Sequence, residues 1–257
     1  SPLTELPMKI IACIKRVPTT DAQAKIDGNA TSLDTGSFQY TSSFYDELAV
    51  EEAVKTKESL GGEVTVLTLG PSASSKEVRE CIAKGADAGV ILTDDDWQSR
   101  DCRSTAKALA AKIQELGADL VFCGKVATDR DNAAVGPMIA TYLGFACVTD
   151  VSELQIDGTS GTAKRATEAG VESVSFSLPA LITCDKGLNE PRRAGLKGIM
   201  AAKKQPLDET TPEAAEHHAQ VVSLELPEPR PEGRILGEGA AAVSDLIDAL
   251  RNEAKVL

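Results

Sequence analysis

The chain has 257 residues, of which 42% are hydrophobic, and its formal net charge is −12. This length and apolar content suit one large or two small globular domains with a buried core. The negative charge disfavours nucleic acid and acidic membrane surfaces as partners, because both are polyanions.

The chain begins with seven residues that precede Met8 and show no periodicity. We interpret residues 1–7 as a remnant of cloning and leave them out of the fold. No apolar run approaches the roughly 20 residues that cross a bilayer, and the first residues do not resemble a signal sequence. We therefore expect a cytoplasmic protein without direct membrane insertion.

Strand-like and helix-like segments alternate from residue 9 to residue 143. The first strand is a nearly continuous apolar run, as expected for a strand that is covered on both faces. Such alternation predicts right-handed crossovers and a parallel sheet with helices on both faces. Ligands of these sheets bind beyond the carboxyl ends of the strands. The predicted strands are 9–17, 63–69, 89–93 and 119–123, and the predicted helices are 45–60, 74–85, 101–116 and 134–143, with Ser74 and Ser75 capping the second helix.

The pattern changes after Gly144. Segments 147–156, 163–167 and 171–185 resemble strands with few helical residues between them, which indicates an antiparallel extension of the sheet. Residues 186–237 lack periodicity and contain six prolines, so we expect an extended arm that wraps a partner. The last segment, 240–256, has the pattern of an amphipathic helix, whose apolar face packs either on its own sheet or on another subunit. The predicted domain boundaries are 8–186 and 187–257.

The six cysteines are scattered, and none has a metal-like spacing to His217 or His218, the only histidines. Most of them lie in apolar strands. We expect buried, reduced thiols, because free cysteine behaves as a small core hydrophobe, and we expect no metal site.

The loop after the strand 119–123 reads GKVATDRDNAAVGPMIA, residues 124–140. Pro137 is tolerated in a first helical turn, and the free amides of that turn can hold phosphate. The carboxylates of Asp129 and Asp131 suit ribose hydroxyls or a capping role, since they would repel phosphate. The alternative is simple N-capping of the helix by Asp131 or Asn132.

The segment LNEPRRAGLKGIMAAKKQP, residues 188–206, resembles the signature of the β (small) subunit of electron transfer flavoproteins. The resemblance covers residues 8–257, because YDELAVEEAVKTKE, VTVLTLGP, GADAGVIL and the 124–140 loop follow in the family's order. It implies an α/β fold: a Rossmann-like, HUP-type adenine-nucleotide-binding domain with a parallel sheet, an antiparallel extension and a C-terminal arm that ends in a helix.

The resemblance also implies a function. Members form a heterodimer with an α subunit that holds most of an FAD, and the small subunit embraces that α subunit with its arm and buries one AMP. They carry electrons from flavin dehydrogenases, such as the acyl-CoA dehydrogenases of fatty acid β-oxidation, to a quinone oxidoreductase or another acceptor. The flavin supplies the redox chemistry, so we expect no substrate catalysis and no catalytic residue in this chain, with Phe44 or Tyr45 at most touching the ring edge.

Residues are carried over from the family by position. A recognition loop around Leu196 is implied to insert into the dehydrogenase partner, although Leu196 and its neighbours could instead simply pack on the sheet. The implied partner-recognition residues are Leu196, Ile199 and Met200, and the implied cofactor-binding residues are Cys13, Lys15, Gly70, Asp129, Asp131, Asn132, Ala133, Ala134, Val135 and Gly136.

Two departures fall on the implied pocket. Ser43 and Phe44 replace an Asn-Pro pair of most members, and the ending Val135-Gly136-Pro137 resembles electron-bifurcating members, which hold a second FAD in place of AMP. A bifurcating member is therefore the alternative. A stand-alone nucleotide sensor or ATP-dependent ligase is disfavoured, because residues 15–18 lack the Ser-Gly-Gly type of pyrophosphate loop.

Overall fold

The structure is a computed structural model, and it describes residues 7–257. A nine-stranded sheet with the order β11-β5-β4-β1-β6-β10-β7-β8-β9 forms its centre, and β2 pairs with β3 in a separate antiparallel ribbon. Neighbouring strands are parallel from β11 to β7, and β7, β8 and β9 form an antiparallel meander. The strands are β1 (Lys9–Cys13), β2 (Arg16–Pro18), β3 (Tyr40–Ser42), β4 (Glu63–Gly70), β5 (Ala88–Thr93), β6 (Leu120–Gly124), β7 (Ala146–Asp157), β8 (Ser160–Thr167), β9 (Gly170–Ser177), β10 (Ala180–Cys184) and β11 (Asp208–Thr210).

Helices cover both faces of the parallel part of the sheet. Ile10 and Ala12 of β1 pack in the cluster on one face, and Ile11 and Cys13 pack in the cluster on the other. This double burial explains the continuous apolar run in the sequence. Helices α1 and α2 lie on the first face and α3 and α4 on the second. The helices are α1 (Phe44–Leu60), α2 (Ser75–Ala83), α3 (Cys102–Leu116), α4 (Val135–Leu143), α5 (Leu196–Lys204) and α6 (Val243–Asp248), with 3₁₀ turns at Ser72–Ser74, Trp97–Ser99 and Ala240–Ala242 and a π turn at Ala249–Glu253.

The fold class and the antiparallel extension are confirmed, but two predicted strands are divided. The segment 9–17 forms two strands, because the chain leaves the sheet after Cys13 and enters the β2–β3 ribbon. The segment 171–185 is divided at Pro179 into β9 and β10. Strand β10 then lies between β6 and β7 and pairs with both in parallel, so it is not part of the antiparallel extension. The predicted capping by Ser74 is also wrong in detail, because Ser74 occupies the N-cap position without a side-chain hydrogen bond.

The C-terminal arm is more ordered than its prolines suggest. It contains α5 and β11 within the stretch that the sequence predicted to be structureless. The final helical segment ends at Glu253, and none of its residues from Ala240 to Glu253 is buried. Of the two alternatives for that segment, packing on its own sheet is therefore not observed.

Candidate functional site

A cavity of about 140 Å³ lies beyond the carboxyl ends of β1, β4 and β6. Cys13 at the end of β1 and Lys15 just beyond it line the cavity, together with residues 132–136 from the loop before α4 and the first turn of α4. Gly70, Asp129 and Asp131, the remaining implied cofactor-binding residues, are not among its lining residues. Its opposite wall consists of Trp97, Gln98, Arg100 and Cys102, which sequence reasoning missed.

Asp46 ties the two central strands together at the cavity. The buried carboxylate accepts hydrogen bonds from the backbone N–H of Lys15 at 2.7 Å and of Gly124 at 3.0 Å. Burial, only partly opposed by these bonds, raises the pKa of Asp46 to about 7. Position 124 must be glycine, because a Cβ there would lie 2.4 Å from Asp46 Oδ1 and 2.8 Å from Asp46 N.

Ser43, one of the departures from the family pattern, holds the loop that follows β6. Its N–H donates to the carbonyl of Lys15 at 3.0 Å. Its hydroxyl donates to the carbonyl of Val126 and accepts from the N–H of Thr128, both at 3.3 Å. The serine thus connects the end of β1 with the loop, so the departure retains a structural role at this site.

The loop itself has an unusual backbone. Asp131 and Ala133 have φ values of 55° and 51°, a left-handed conformation that is costly for residues other than glycine. Turns of this kind point backbone amides into anion-binding concavities. The N-cap of α4 is Ala134, with no side-chain cap, and Asn132 instead donates to Cys102 Sγ at 3.3 Å. The alternative of N-capping by Asp131 or Asn132 is therefore wrong.

Four cationic side chains line the cavity of this acidic chain: Lys15, Arg100, Lys125 and Arg130. Lys15 pairs with Asp129 at 2.8 Å, so that carboxylate orients a lysine. Arg130 donates to the carbonyl of Gln98 at 2.7 Å and joins the two walls. Lys125 donates hydrogen bonds to Asp185 and Asp150, and these bonds raise the pKa of Lys125, so it stays charged. Three of the four cations are paired with carboxylates outside the lining, namely Lys15 with Asp129, Arg100 with Asp94, and Lys125 with Asp150 and Asp185. Arg130 has no carboxylate partner among residues 7–257, so its guanidinium favours an anionic ligand.

The three implied partner-recognition residues lie on α5, which is a helix and not the loop expected. Leu196 is 77% exposed, and Ile199 and Met200 are also exposed. Their spacing places them along one side of the helix. They do not pack on the sheet, so that alternative is not observed.

The opposite side of α5 is fixed to α2. A Cβ at Gly198 would lie 2.4 Å from the carbonyl oxygen of Ala83, so the two backbones are in direct contact. Arg79 of α2 donates to the carbonyls of Ala202 and Gln205 at the end of α5, at 2.5 and 2.8 Å. The exposed side chains therefore stand on a rigid support.

The segment before α5 is fastened to α1. Arg192 donates to both oxygens of Glu51 and also bonds to Glu58, and Asn189 donates to the carbonyl of Leu48 at 3.0 Å. Burial alone would raise the pKa of Glu51, but the bonds from Arg192 hold it below its ordinary value. These contacts explain why polar residues occupy the signature segment.

Phe44, at the start of α1, is exposed and packs edge-on against Tyr45. Lys186 lies 5.7 Å from the centre of the Phe44 ring. Of the six cysteines, four are buried as expected, Cys102 is half-buried and Cys147 is exposed.

Residues 7–257 contain neither a candidate membrane-spanning helix nor a candidate metal site. No helix there combines the length and apolar character needed to cross a bilayer. No cluster of three or more His, Cys, Asp or Glu side chains in the same range could hold a metal ion.

Comparison with known proteins identifies relatives over almost the whole chain. The electron transfer flavoprotein domain family matches residues 40–215. The electron transfer flavoprotein subunit beta of Bacillus subtilis is 35% identical, over 97% of this chain and 100% of its own length. The protein of the same name from Bradyrhizobium diazoefficiens is 34% identical over 97% of this chain and 100% of its own. A mitochondrial electron transfer flavoprotein subunit beta of Oryza sativa subsp. japonica is 35% identical with the same coverage.

Proposed function

The chain belongs to the electron transfer flavoprotein family as a β subunit, and from this membership we propose a specific role. The chain forms a heterodimer with an α subunit that holds most of one FAD. The heterodimer carries electrons from flavin dehydrogenases, such as acyl-CoA dehydrogenases of fatty acid β-oxidation, to a quinone oxidoreductase or another acceptor. The bound flavin supplies the redox chemistry, and this chain positions partners and cofactor without a catalytic residue of its own. Its cytoplasmic location stays a prediction, since relatives include mitochondrial proteins.

The observation that carries the nucleotide part of the proposal is the cation-lined cavity. An AMP phosphate is a dianion, and Lys15, Arg130 and the amides at the start of α4 provide donors for it. The first four amides of a helix have no partner within that helix, and Ala134 supplies no side-chain cap. These groups fit AMP, which we propose to be a structural ligand.

The cavity wall provides a direct binding assay, because Trp97 is the only tryptophan of the chain. AMP binding is expected to change its fluorescence, and Lys15→Gln should weaken AMP binding at least tenfold by removing one charged donor. Lys164→Gln is the matched control, because Lys164 lies on β8, outside the cavity lining, and pairs with Glu153 of β7. Equal AMP affinities of the two variants would remove Lys15 from the site.

We propose that the exposed side of α5 is the dehydrogenase-recognition surface. One exposed apolar anchor can dominate a transient interface, particularly when its support is rigid. Leu196→Ala is expected to lower the second-order rate of electron transfer from a dehydrogenase at least tenfold without loss of flavin. Val171→Ala on β9 is the control, because Val171 is 71% exposed. Loss of flavin in Leu196→Ala, or equal rates in both variants, would contradict this role.

We propose that the arm after β11 embraces the α subunit. Its apolar side chains are exposed in the single chain, and a monomeric protein rarely leaves so many uncovered. The exposed apolar residues of the arm and the final helical segment are Val221, Val222, Leu226, Ile235, Val243, Leu246, Ile247, Val256 and Leu257. Truncation after residue 219 should abolish co-purification with the α subunit, whereas an unchanged complex would refute this role.

The alternative of an electron-bifurcating member rests on Val135-Gly136-Pro137. Gly136 allows close packing of α4 on the sheet, because a Cβ there would lie 2.9 Å from Thr183 Cγ2. A second FAD in the cavity, in place of AMP, would establish this alternative.

A further inference from the structure

Three of the six cysteines line the cavity: Cys13, Cys102 and Cys123. Cys13 and Cys123 stand at corresponding positions on adjacent strands, because Ala12 lies opposite Phe122 in the parallel ladder between β1 and β6. Both side chains belong to the apolar cluster on the α3 and α4 face of the sheet, so they project from the same face of two adjacent strands. The two sulfur atoms are therefore neighbours in the cavity floor.

The backbone spacing permits a covalent link between them. Adjacent strands lie about 4.8 Å apart, and disulfides join Cα atoms that are about 4.4 to 6.8 Å apart. Cys13 and Cys123 are each 7% exposed, and the cavity that they line is the route by which a small molecule reaches them. A ligand in the cavity would close that route.

We propose that Cys13 and Cys123 form a dithiol modification site, which a small peroxide oxidises to a disulfide when the cavity is empty and which a bound nucleotide shields. The dithiol chemistry stands on the geometry of the two strands alone. Only the shielding rests on the proposed function, since it requires AMP in the cavity.

The reaction consumes one peroxide and both thiols. The neighbouring Cys13 thiol, together with burial, raises the pKa of the Cys123 thiol, which makes Cys123 the poorer nucleophile and assigns the attack on peroxide to Cys13. Cys13 sulfur attacks one peroxide oxygen and gives up its proton, the O–O bond breaks, and a sulfenic acid forms on Cys13 while the departing hydroxide takes up that proton and leaves as water. Cys123 sulfur then attacks Cys13 sulfur, the S–O bond breaks, and water leaves as the disulfide forms. The two thiols lose two electrons, and hydrogen peroxide becomes two waters.

The other cysteines offer internal comparisons. Cys184 is buried in the cluster on the opposite face of the sheet, and Cys147 is exposed on β7. Cys102 lines the cavity from the other wall, where it accepts a hydrogen bond from Asn132. A reaction governed by exposure alone would therefore select Cys147, whereas a reaction governed by the dithiol selects Cys13 and Cys123.

The test uses the heterodimer with its α subunit, both with AMP bound and after AMP has been removed. Each sample is treated with hydrogen peroxide, its remaining thiols are alkylated, and tryptic peptides are analysed by mass spectrometry. Cleavage after lysine and arginine places Cys13 in 10–15, Cys123 in 113–125 and Cys102 in 101–103, so the disulfide partners are distinguished. We expect a linked 10–15 and 113–125 pair that forms at least tenfold faster without AMP.

Cys13→Ala and Cys123→Ala should each abolish the linked pair, and Cys147→Ser should leave it unchanged. If either alanine variant fails to fold, the serine variant at the same position replaces it, with retained flavin as the criterion of folding. Absence of the linked pair in the emptied wild-type heterodimer would overturn the proposal, as would equal rates with and without bound AMP. Linkage in a heterodimer that never contains AMP would support the dithiol and count against the proposed nucleotide instead.

Discussion

Gly198 lets α5 lie directly on the end of α2, and we predict that Gly198→Ala displaces this helix. The new Cβ would lie 2.4 Å from the carbonyl oxygen of Ala83 and 3.3 Å from its carbonyl carbon. Close carbon–oxygen contacts in proteins are about 3.3 Å or longer, so the helix must move by about 0.9 Å. The contacted oxygen and carbon of Ala83 are both backbone atoms, and therefore no side-chain rotation relieves the overlap.

The expected cost follows from two opposing effects. Overpacking costs about 1 to 3 kcal/mol, whereas alanine in a helix interior is better than glycine by up to about 1 kcal/mol. We expect a net loss of about 1 to 2 kcal/mol. The displacement should also lengthen the bonds from Arg79 to the carbonyls of Ala202 and Gln205, which fix the orientation of the exposed side.

Gly195→Ala is the matched control, because a Cβ at this nearby position would meet no atom within 4 Å. Gly195 is the N-cap of α5, where alanine costs less than about 1 kcal/mol relative to glycine. Urea unfolding of the full chain compares the variants, and dehydrogenase-dependent reduction of the heterodimer reports on α5. Equal unfolding free energies and equal reduction rates for the two variants would refute the close-contact reasoning.

Three further predictions concern the ion pair between Arg192 and Glu51 and the contacts of Asp46 at the cavity. Arg192→Ala should lower the free energy of unfolding at pH 7 by about 2 kcal/mol, because the mostly buried Glu51 carboxylate loses its partly exposed counterion. Because the pKa of Glu51 is lowered in the folded chain, this stabilisation is present above the unfolded pKa of 4.5 and is lost as the pH falls through the folded pKa. The difference in unfolding free energy between Arg192→Ala and wild type should therefore shrink at pH 3. Arg193→Ala is the control and should have little effect at either pH. The pKa of Asp46 is raised to about 7, so its contribution to stability is fully present below pH 3.8 and is lost as the pH rises through about 7. Asp46→Asn should remove the resulting decline in the free energy of unfolding between pH 5 and pH 8. An unchanged pH profile of the unfolding free energy would contradict burial of this carboxyl group. Gly124→Ala should abolish the AMP-dependent tryptophan fluorescence change, since the added Cβ would displace the Asp46 carboxylate. Normal AMP binding by this variant would show that the hydrogen bonds of Asp46 are not needed for the site.

The parallel sheet could be predicted because its signal is local and strong. A strand that is buried on both faces needs a continuous apolar run, and the segment around Ile10 and Ile11 has one. Helix ends such as Gly117 and Gly144 also carry a local signal, since both adopt the left-handed conformation that favours glycine. The insertion of β10 between β6 and β7 could not be predicted, because pairing partners are chosen by tertiary contacts and not by the strand's own sequence.

The candidate site was only partly predictable for the same reason. Residues 132–136 belong to the connection between β6 and α4, so their place at the carboxyl edge of the sheet could be inferred. Trp97 and Arg100 reach the cavity from a different crossover, and no local pattern connects them with that loop. The helix α5 was missed because nine residues between Pro191 and Pro206 give a short periodic signal. Its stability comes largely from packing on α2, which sequence periodicity does not report.

The most direct test of the proposed heterodimer is to quantify the cofactors that it releases. The chain would be co-expressed with its α subunit, and the purified complex would be denatured and its FAD and AMP measured per heterodimer. We predict one FAD and one AMP. A chain that forms no stable flavin-containing complex would contradict the central claim, and two FAD without AMP would replace the proposed electron carrier with its bifurcating alternative.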